Sequence, residues 1–135
     1  MLVAALAATG ALLGPSAPVS AQPQLRAPSL RVVDAQSWAG SYSDGNTYYF
    51  LDATFRASAV RGAVVYHLYS RFPNGTTSLE RSPSVERPGP VTIPFHVEPL
   101  DLAPQDLQFW VVACTDFSDL ECTAASNVVT VHVPT

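Results

Sequence analysis

The chain has 135 residues, enough for a single domain with its own hydrophobic core. Only 13% of the residues are charged, the formal net charge at pH 7 is −4, and arginines supply all the Lys/Arg charge without forming a cluster. This composition excludes nucleic acid from the predicted partners, because such binding needs concentrated positive charge to neutralise phosphates. The absence of lysine, together with abundant alanine, proline and valine, is typical of a GC-rich bacterial genome.

The first 21 residues have the pattern of a signal peptide. They carry no charged side chain, contain an apolar run from Leu2 to Leu13, and end with the small residues Val19-Ser20-Ala21. The run is shorter than the roughly 20 residues that span a bilayer, so we predict a cleaved export signal and no stable membrane insertion afterwards. The expected location is secreted, periplasmic or at the cell envelope. Residues 22–28 follow as a flexible leader, and residues 29–135 form the predicted domain.

The domain begins with two alternating segments. Residues 29–38 predict a first strand with Leu30 and Val32 inward. Residues 39–47 are rich in glycine, serine, asparagine and aspartate, which predicts a loop. Residues 47–57 predict a second strand, in which Phe50 breaks the alternation.

The next two strands are predicted to form a hairpin. Residues 63–72 alternate, and Asn74-Gly75 is the favoured dipeptide of a tight turn, so residues 76–81 are expected to return as a short strand. The side chains of the third strand predicted to face inward are Val64, Tyr66 and Leu68, and those predicted to face outward are Val65, His67, Tyr69 and Arg71.

Three further strands complete the predicted domain, and no helix of useful length is expected. Residues 91–97 alternate with Pro94 facing outward, which predicts an edge strand because proline lacks a backbone donor. Residues 107–114 and 128–133 predict a C-terminal pair of strands. The inward side chains of this pair are Leu107, Phe109, Val111, Ala113, Val129, Val131 and Val133.

The two cysteines lie between these last strands. Cys114 and Cys122 enclose seven residues, and opposed positions on antiparallel strands come within reach of disulfide geometry. We predict a structural disulfide, which suits an exported protein. The alternatives are two free buried thiols or a redox pair, although the spacing differs from the two-residue gap of thioredoxin-like motifs.

The strand pattern carries a resemblance to a known superfamily. About seven short strands separated by turns, with Leu102-Ala103-Pro104 before the sixth strand and Ser126-Asn127 opening the last one, resemble the fibronectin type III and related immunoglobulin-like superfamily over most of residues 29–135. The resemblance implies an all-β antiparallel sandwich. It also implies adhesion, scaffolding or ligand binding rather than catalysis.

The resemblance implies that the third, sixth and seventh strands share one sheet. Trp, Tyr and Arg dominate interface hot spots, so the outer face of this sheet is the predicted site for a protein or cell-envelope partner. The disulfide-closed loop Thr115 to Glu121 is the other predicted contact. The candidate binding residues are Trp110, Tyr69, His67, Arg71, His132 and, at the loop tip, Phe117.

Two other functions remain open. A carbohydrate-binding accessory domain would stack sugar rings on Trp110, Tyr69 or Trp38. Coplanar, solvent-open rings would favour sugar, whereas a rough apolar face rimmed by Arg71 would favour protein. A small secreted hydrolase would need a concave pocket with converging polar groups.

The sequence offers little support for catalytic or metal chemistry. His67, His96 and His132 occur one per strand, and the turn around Asp44 lacks the spacing and closing glutamate of a calcium loop. We therefore predict no metal, no cofactor and no catalytic residues. The only tight carboxylate cluster, predicted to be solvated, is Asp116, Asp119 and Glu121.

Overall fold

The protein is an all-β antiparallel sandwich, as predicted, and its architecture is compatible with the immunoglobulin-like class. The computed structural model describes residues 25–100 and 105–134. The predicted signal peptide, residues 1–21, lies outside the described residues, and so does the segment at 101–104. The seven strands are β1 Leu30–Ser41, β2 Thr47–Ala57, β3 Val65–Arg71, β4 Thr77–Arg81, β5 Val91–Leu100, β6 Gln105–Cys114 and β7 Val129–Val133.

The strands form one three-stranded and one four-stranded sheet. Their orders are β1-β2-β5 and β4-β3-β6-β7, so the third, sixth and seventh strands share a sheet with the sixth between the other two. The position of β5 at a sheet edge confirms the prediction made from Pro94. The β3–β4 hairpin is also confirmed: the Gly75 N–H donates to the Phe72 carbonyl at 2.9 Å, and Gly75 has a φ of 90° that suits glycine.

The core lies between the two sheets and is built from the alternating apolar side chains. Phe109 of β6 is fully buried and contacts rings from the opposite sheet, with centroid distances of 4.6 Å to Phe55 and 5.3 Å to Phe95. Both aromatic pairs have tilted or edge-on geometries, which the ring quadrupoles favour. The inward side chains predicted for β6 and β7 face this core, because the strand period of two fixes which side each residue takes.

The β1–β2 hairpin is longer than predicted. Pairing continues from Leu30↔Ala57 to Ser41↔Thr47, and the connecting turn is only residues 42–46. The prediction of a loop from residue 39 was wrong because the polar residues there still pair with the apolar start of β2. Phe50 is on the outer face of this sheet, opposite Trp38, and is buried by it.

One end of the outer face of the four-stranded sheet is covered. Val65 and His67 were predicted to be exposed, but they are 4% and 9% exposed respectively. Val65 forms an isolated bridge with Ser84, and His67 is covered by the disulfide loop and by Ser82. The prediction of exposure for these two residues was wrong because alternation specifies the side of a sheet and not what covers it.

Asn127 connects the two sheets at their edges. Its Oδ1 accepts a hydrogen bond from the Leu30 N–H, and its Nδ2 donates to the Leu30 carbonyl, both at 2.9 Å. For Leu30 of β1, this side chain therefore supplies the backbone hydrogen-bond partners that a neighbouring strand would otherwise provide. Among the described residues, no helix is long and apolar enough to cross a membrane.

Candidate functional site

The outer face of the four-stranded sheet brings together the central residues predicted from the sequence. Antiparallel pairing places Tyr69 opposite Trp110 and Arg71 opposite Gln108. The rings of Tyr69 and Trp110 are stacked, with centroids 5.9 Å apart and planes at 12°. The Arg71 guanidinium carbon lies 5.1 Å from the Trp110 ring centroid, within the range of a cation–π contact.

Two exposed aliphatic residues extend this pair into a row across the sheet. Leu79 of β4 pairs with Tyr69 on the side away from Trp110, and it is 53% exposed. Val128 is 52% exposed and precedes Val129, which pairs with the inward-facing Phe109, so alternation places Val128 beside Trp110. We call the row Leu79, Tyr69, Trp110 and Val128 the apolar stripe.

The disulfide predicted between Cys114 and Cys122 is present and closes the loop above the stripe. The loop is held internally: the Thr115 N–H donates to the Glu121 carbonyl at 2.9 Å, and Asp116 accepts from the Leu120 N–H at 2.9 Å. Apolar side chains project from its tip, where Phe117 is 70% exposed and Leu120 is also exposed. The loop thus presents an ordered apolar rim as well as covering the end of the sheet.

His67, which is buried, forms a hydrogen-bonded cluster with two exposed residues beside this loop. Its Nε2 lies 2.8 Å from Asp119 Oδ1, and its Nδ1 lies 2.7 Å from Ser82 Oγ. Because a carboxylate only accepts, Nε2 carries the proton donated to Asp119, and Nδ1 of the neutral ring accepts from the Ser82 hydroxyl. We call His67, Ser82 and Asp119 the His67 cluster. No local sequence pattern indicated this cluster, because its members come from β3, the β4–β5 link and the disulfide loop.

The His67 cluster contains the residue types of a catalytic triad, and one of its members borders a surface cavity. Ser82 lines a shallow cavity with Ile93 and Pro94, and neither His67 nor Asp119 lines that cavity. The groove lined by residues 59–63, Tyr66 and residues 85–89 contains none of the three. Ser82 thus borders a cavity, whereas His67 and Asp119 line neither of these two cavities.

The loop carboxylates that form a cluster in sequence have separate partners in the fold. Glu121 Oε1 accepts from the Thr115 hydroxyl at 2.6 Å, Asp116 caps the Leu120 N–H, and Asp119 bonds His67. Each carboxylate is thus used to hold the loop.

The other two histidines also pair with aspartates across strands. His132 bonds Asp106 at the far end of the four-stranded sheet, and His96 bonds Asp52 on the outer face of the other sheet. Both pairs are well exposed, unlike His67. His132 therefore lies on the predicted outer face, but four residues along the chain from Val128, so it is not part of the stripe and bonds Asp106 instead.

A metal ligand set was not predicted, yet three ligand types meet near the disulfide. The ligand atoms of His67, Asp119 and Cys114 all lie within 4.8 Å of one another. In the disulfide the Cys114 sulfur is not a thiolate, which is the form that binds metals. In the turn around residue 44, Asp44 accepts hydrogen bonds from the Asn46 N–H and the Tyr48 hydroxyl, and these bonds lower the pKa of its carboxyl.

A second aromatic surface lies on the outer face of the three-stranded sheet. Trp38 stacks on Phe50 with centroids 5.6 Å apart and planes at 9°, and Tyr42 packs against Phe50 from the turn. Gly40 leaves room for this ring, since a Cβ there would meet Phe50 Cε2 at 3.2 Å. Trp38 and Tyr42 remain 43% and 47% exposed. Only Trp38 was considered as a binding residue from the sequence.

No family model, curated protein or solved structure matches this chain.

Proposed function

We propose that this chain is an exported recognition module of the fibronectin type III-like kind, and that it binds a protein partner through the apolar stripe. The observation that carries the proposal is the row of Leu79, Tyr69 and Trp110 across β4, β3 and β6, extended by Val128 just before β7, with the Arg71 guanidinium over the Trp110 ring. Leu79 and Val128 are exposed and Tyr69 and Trp110 are partly exposed, and contiguous accessible apolar surface on a small domain is typical of an interaction site.

The topology supports the fibronectin type III-like assignment. In constant-type immunoglobulin domains the fourth strand belongs to the sheet of the first, second and fifth strands. Here β4 pairs with β3 instead, in the sheet that contains β6 and β7. The predicted signal peptide and the disulfide together support a secreted, periplasmic or cell-envelope location in a bacterium.

The stripe suits a protein better than a sugar. The Trp110 ring is already engaged by Arg71 and Tyr69, so it does not offer a free flat platform. Leu79 and Val128 add aliphatic surface at the two ends, and aliphatic side chains pack against other side chains rather than against hydroxyl-rich rings. A tryptophan at the centre of an apolar row, with an arginine held over it, is the composition of an interface hot spot.

The arrangement also supports a particular partner chemistry. An apolar ridge would lie along the stripe, and a carboxylate or a carbonyl would meet the donors of Arg71. Phe117 and Leu120 on the disulfide loop would contact the partner above the stripe. Because the disulfide and the hydrogen bonds of the loop fix this rim before binding, little ordering cost is expected there.

The proposal is tested with paired surface variants and a cell-envelope extract. Trp110→Ala and Leu79→Ser each change the stripe, and Val33→Ser is the matched control, since Val33 is an aliphatic residue of the other sheet with 47% exposure against 53% for Leu79. After equal thermal stability is confirmed, partners are captured by cross-linking and the affinity of any captured protein is measured. We expect Trp110→Ala to weaken binding by about 30-fold and Val33→Ser to leave it unchanged. Equal binding by all three variants would refute the proposal.

The Trp38 surface favours carbohydrate binding as a second candidate function. β1 is the edge strand of its sheet, so the face of the Trp38 ring that turns away from Phe50 borders solvent. Gln36 and the Asp52–His96 pair lie in the next row of the same face and offer donors and acceptors for sugar hydroxyls. Binding to insoluble cellulose and chitin that is lost in Trp38→Ala and kept in Trp110→Ala would establish this function, and no binding to either polymer would remove it.

A further inference from the structure

Four potential metal ligands converge beneath the disulfide loop. The ligand atoms of His67, Asp119 and Cys114 lie within 4.8 Å of one another, and the sulfur of Cys122 is bonded to that of Cys114. The described residues thus bring an imidazole, a carboxylate and two sulfurs to one point. In the disulfide form only the imidazole and the carboxylate are competent ligands.

We propose that reduction of the disulfide converts this point into a tetrahedral zinc site formed by Cys114, Cys122, His67 and Asp119. Zinc at structural sites takes four ligands from thiolates, imidazoles and carboxylates. At its usual bond lengths the ligand atoms are roughly 3.3 to 3.8 Å apart. The longest of the three distances within the cluster therefore shortens by at most about 1 Å, while the two sulfurs separate once their bond is broken and His67 Nε2 moves slightly away from Asp119, from 2.8 Å. The disulfide and the metal exclude each other, because both use the same sulfurs.

His67 is already positioned as a zinc ligand. The ring is buried, its Nε2 faces Asp119, and its Nδ1 lies 2.7 Å from Ser82 Oγ. Metal-binding histidines usually have their second nitrogen held by a hydrogen bond in this way. In the disulfide form Nε2 carries the proton. In the zinc form Nε2 binds the metal and Nδ1–H donates to Ser82, whose hydroxyl can either donate or accept.

Reduction of the disulfide needs an external reductant, for which a dithiol serves. Two electrons and two protons pass from the dithiol to the Cys114–Cys122 bond, which breaks to give two thiols, while the dithiol is oxidised to its disulfide. Zinc then binds the two thiolates and releases the two thiol protons to solvent. The His67 proton moves from Nε2 to Nδ1, so the imidazole stays neutral.

The other histidine–aspartate pairs of the chain provide a matched control. His132 and Asp106 form the same type of contact on an exposed part of the same sheet, but the described structure places no cysteine with them. A site that depends on the convergence of four ligands should therefore respond to changes at His67 and not at His132.

The test is cobalt and zinc titration of the whole chain, oxidised and reduced. Cobalt(II) serves as the probe because tetrahedral thiolate coordination produces characteristic visible and charge-transfer bands. We expect one equivalent to bind the reduced protein with these bands, zinc to displace it, and the oxidised protein to show none. Reduced protein without thiolate bands would overturn the proposal.

Variants then distinguish the four-ligand site from simple binding to two cysteines. We expect His67→Ala and Asp119→Ala each to weaken zinc binding at least tenfold, Ser82→Ala to weaken it about 10- to 100-fold, and His132→Ala to leave it unchanged. Affinities of His67→Ala and Asp119→Ala equal to the wild type would overturn the proposal. If the reduced chain is unfolded without metal, the same comparison is made by zinc-induced refolding followed by tryptophan fluorescence, which should occur in the wild type and His132→Ala but not in His67→Ala.

Discussion

The contact between Asn127 and Leu30 provides a direct test of how the two sheets are held together. Asn127→Ala removes two hydrogen bonds of 2.9 Å and leaves the N–H and the carbonyl of Leu30 without their side-chain partner. Each such bond contributes about 0.5 to 1.5 kcal/mol net, so we expect the free energy of unfolding to fall by about 1 to 3 kcal/mol. The measurement is urea unfolding followed by tryptophan fluorescence, with the m-value compared between proteins.

Two further variants make this prediction specific. Asn127→Asp keeps an acceptor for the Leu30 N–H but loses the donor to the Leu30 carbonyl, so it should also destabilise the fold. Asn74→Ala is the control, because Asn74 makes one exposed bond to Thr76 within the β3–β4 turn. We expect the control to cost less than about 0.5 kcal/mol. If Asn127→Ala were as stable as Asn74→Ala, the side chain would not hold β1 to the opposite sheet and our reasoning would be refuted.

Three other residues or pairs give predictions that stability measurements can check. Replacing Cys114 and Cys122 by alanine removes a cross-link between residues eight positions apart and should cost about 2.5 kcal/mol in urea unfolding; no loss would contradict the entropic account. Tyr66→Phe leaves the Val60 N–H without its acceptor at 2.9 Å and should cost about 1 to 2 kcal/mol at pH 7. Burial raises the pKa of Tyr66 above its ordinary 10.0, so the stability linked to its neutral form is complete below pH 10 and is lost as pH rises through the folded-state pKa. The alkaline loss measured by thermal unfolding should thus be smaller in Tyr66→Phe, and identical pH profiles would contradict this. Gln105→Leu should stabilise the fold by about 1 kcal/mol, because neither polar atom of this buried amide has a hydrogen-bond partner among the described residues; a lower Tm would show that the amide is satisfied.

The sheet faces could be predicted from the sequence because alternation is a local property. Phe109 and Val111 had to share the inner face, and Trp110 the outer face, once the segment was a strand. The pairing of Tyr69 with Trp110 required one more assumption, the strand order of the superfamily, and the structure has that order. Leu79 was missed although the Asn74-Gly75 turn already indicated the hairpin that brings it opposite Tyr69.

The covering of the outer face could not be predicted in the same way. His67 is buried by Asp119, which is 52 positions away, and by Ser82 beyond the β4 strand. No local pattern records such a contact, because it depends on how a loop folds back over a sheet. The same applies to Phe50. Its apolar side chain lies on the outer face of β2 because Trp38 covers it there.

The disulfide loop connects the proposed recognition surface with the proposed zinc site. Phe117 and Leu120 form the apolar rim, while Asp119 in the same loop bonds His67 beneath it. Either cross-link, the Cys114–Cys122 disulfide or a zinc ion on the same sulfurs, would close the loop and hold the rim in place. The reduced, metal-free protein would have neither cross-link. Its rim would then be less ordered before binding, and ordering it would cost conformational entropy. Partner affinity should therefore be similar in the oxidised and the zinc-bound protein and lower in the reduced, metal-free protein. An affinity that falls on reduction and does not recover with zinc would separate the two proposals, since the loop would then contribute to recognition without forming a metal site.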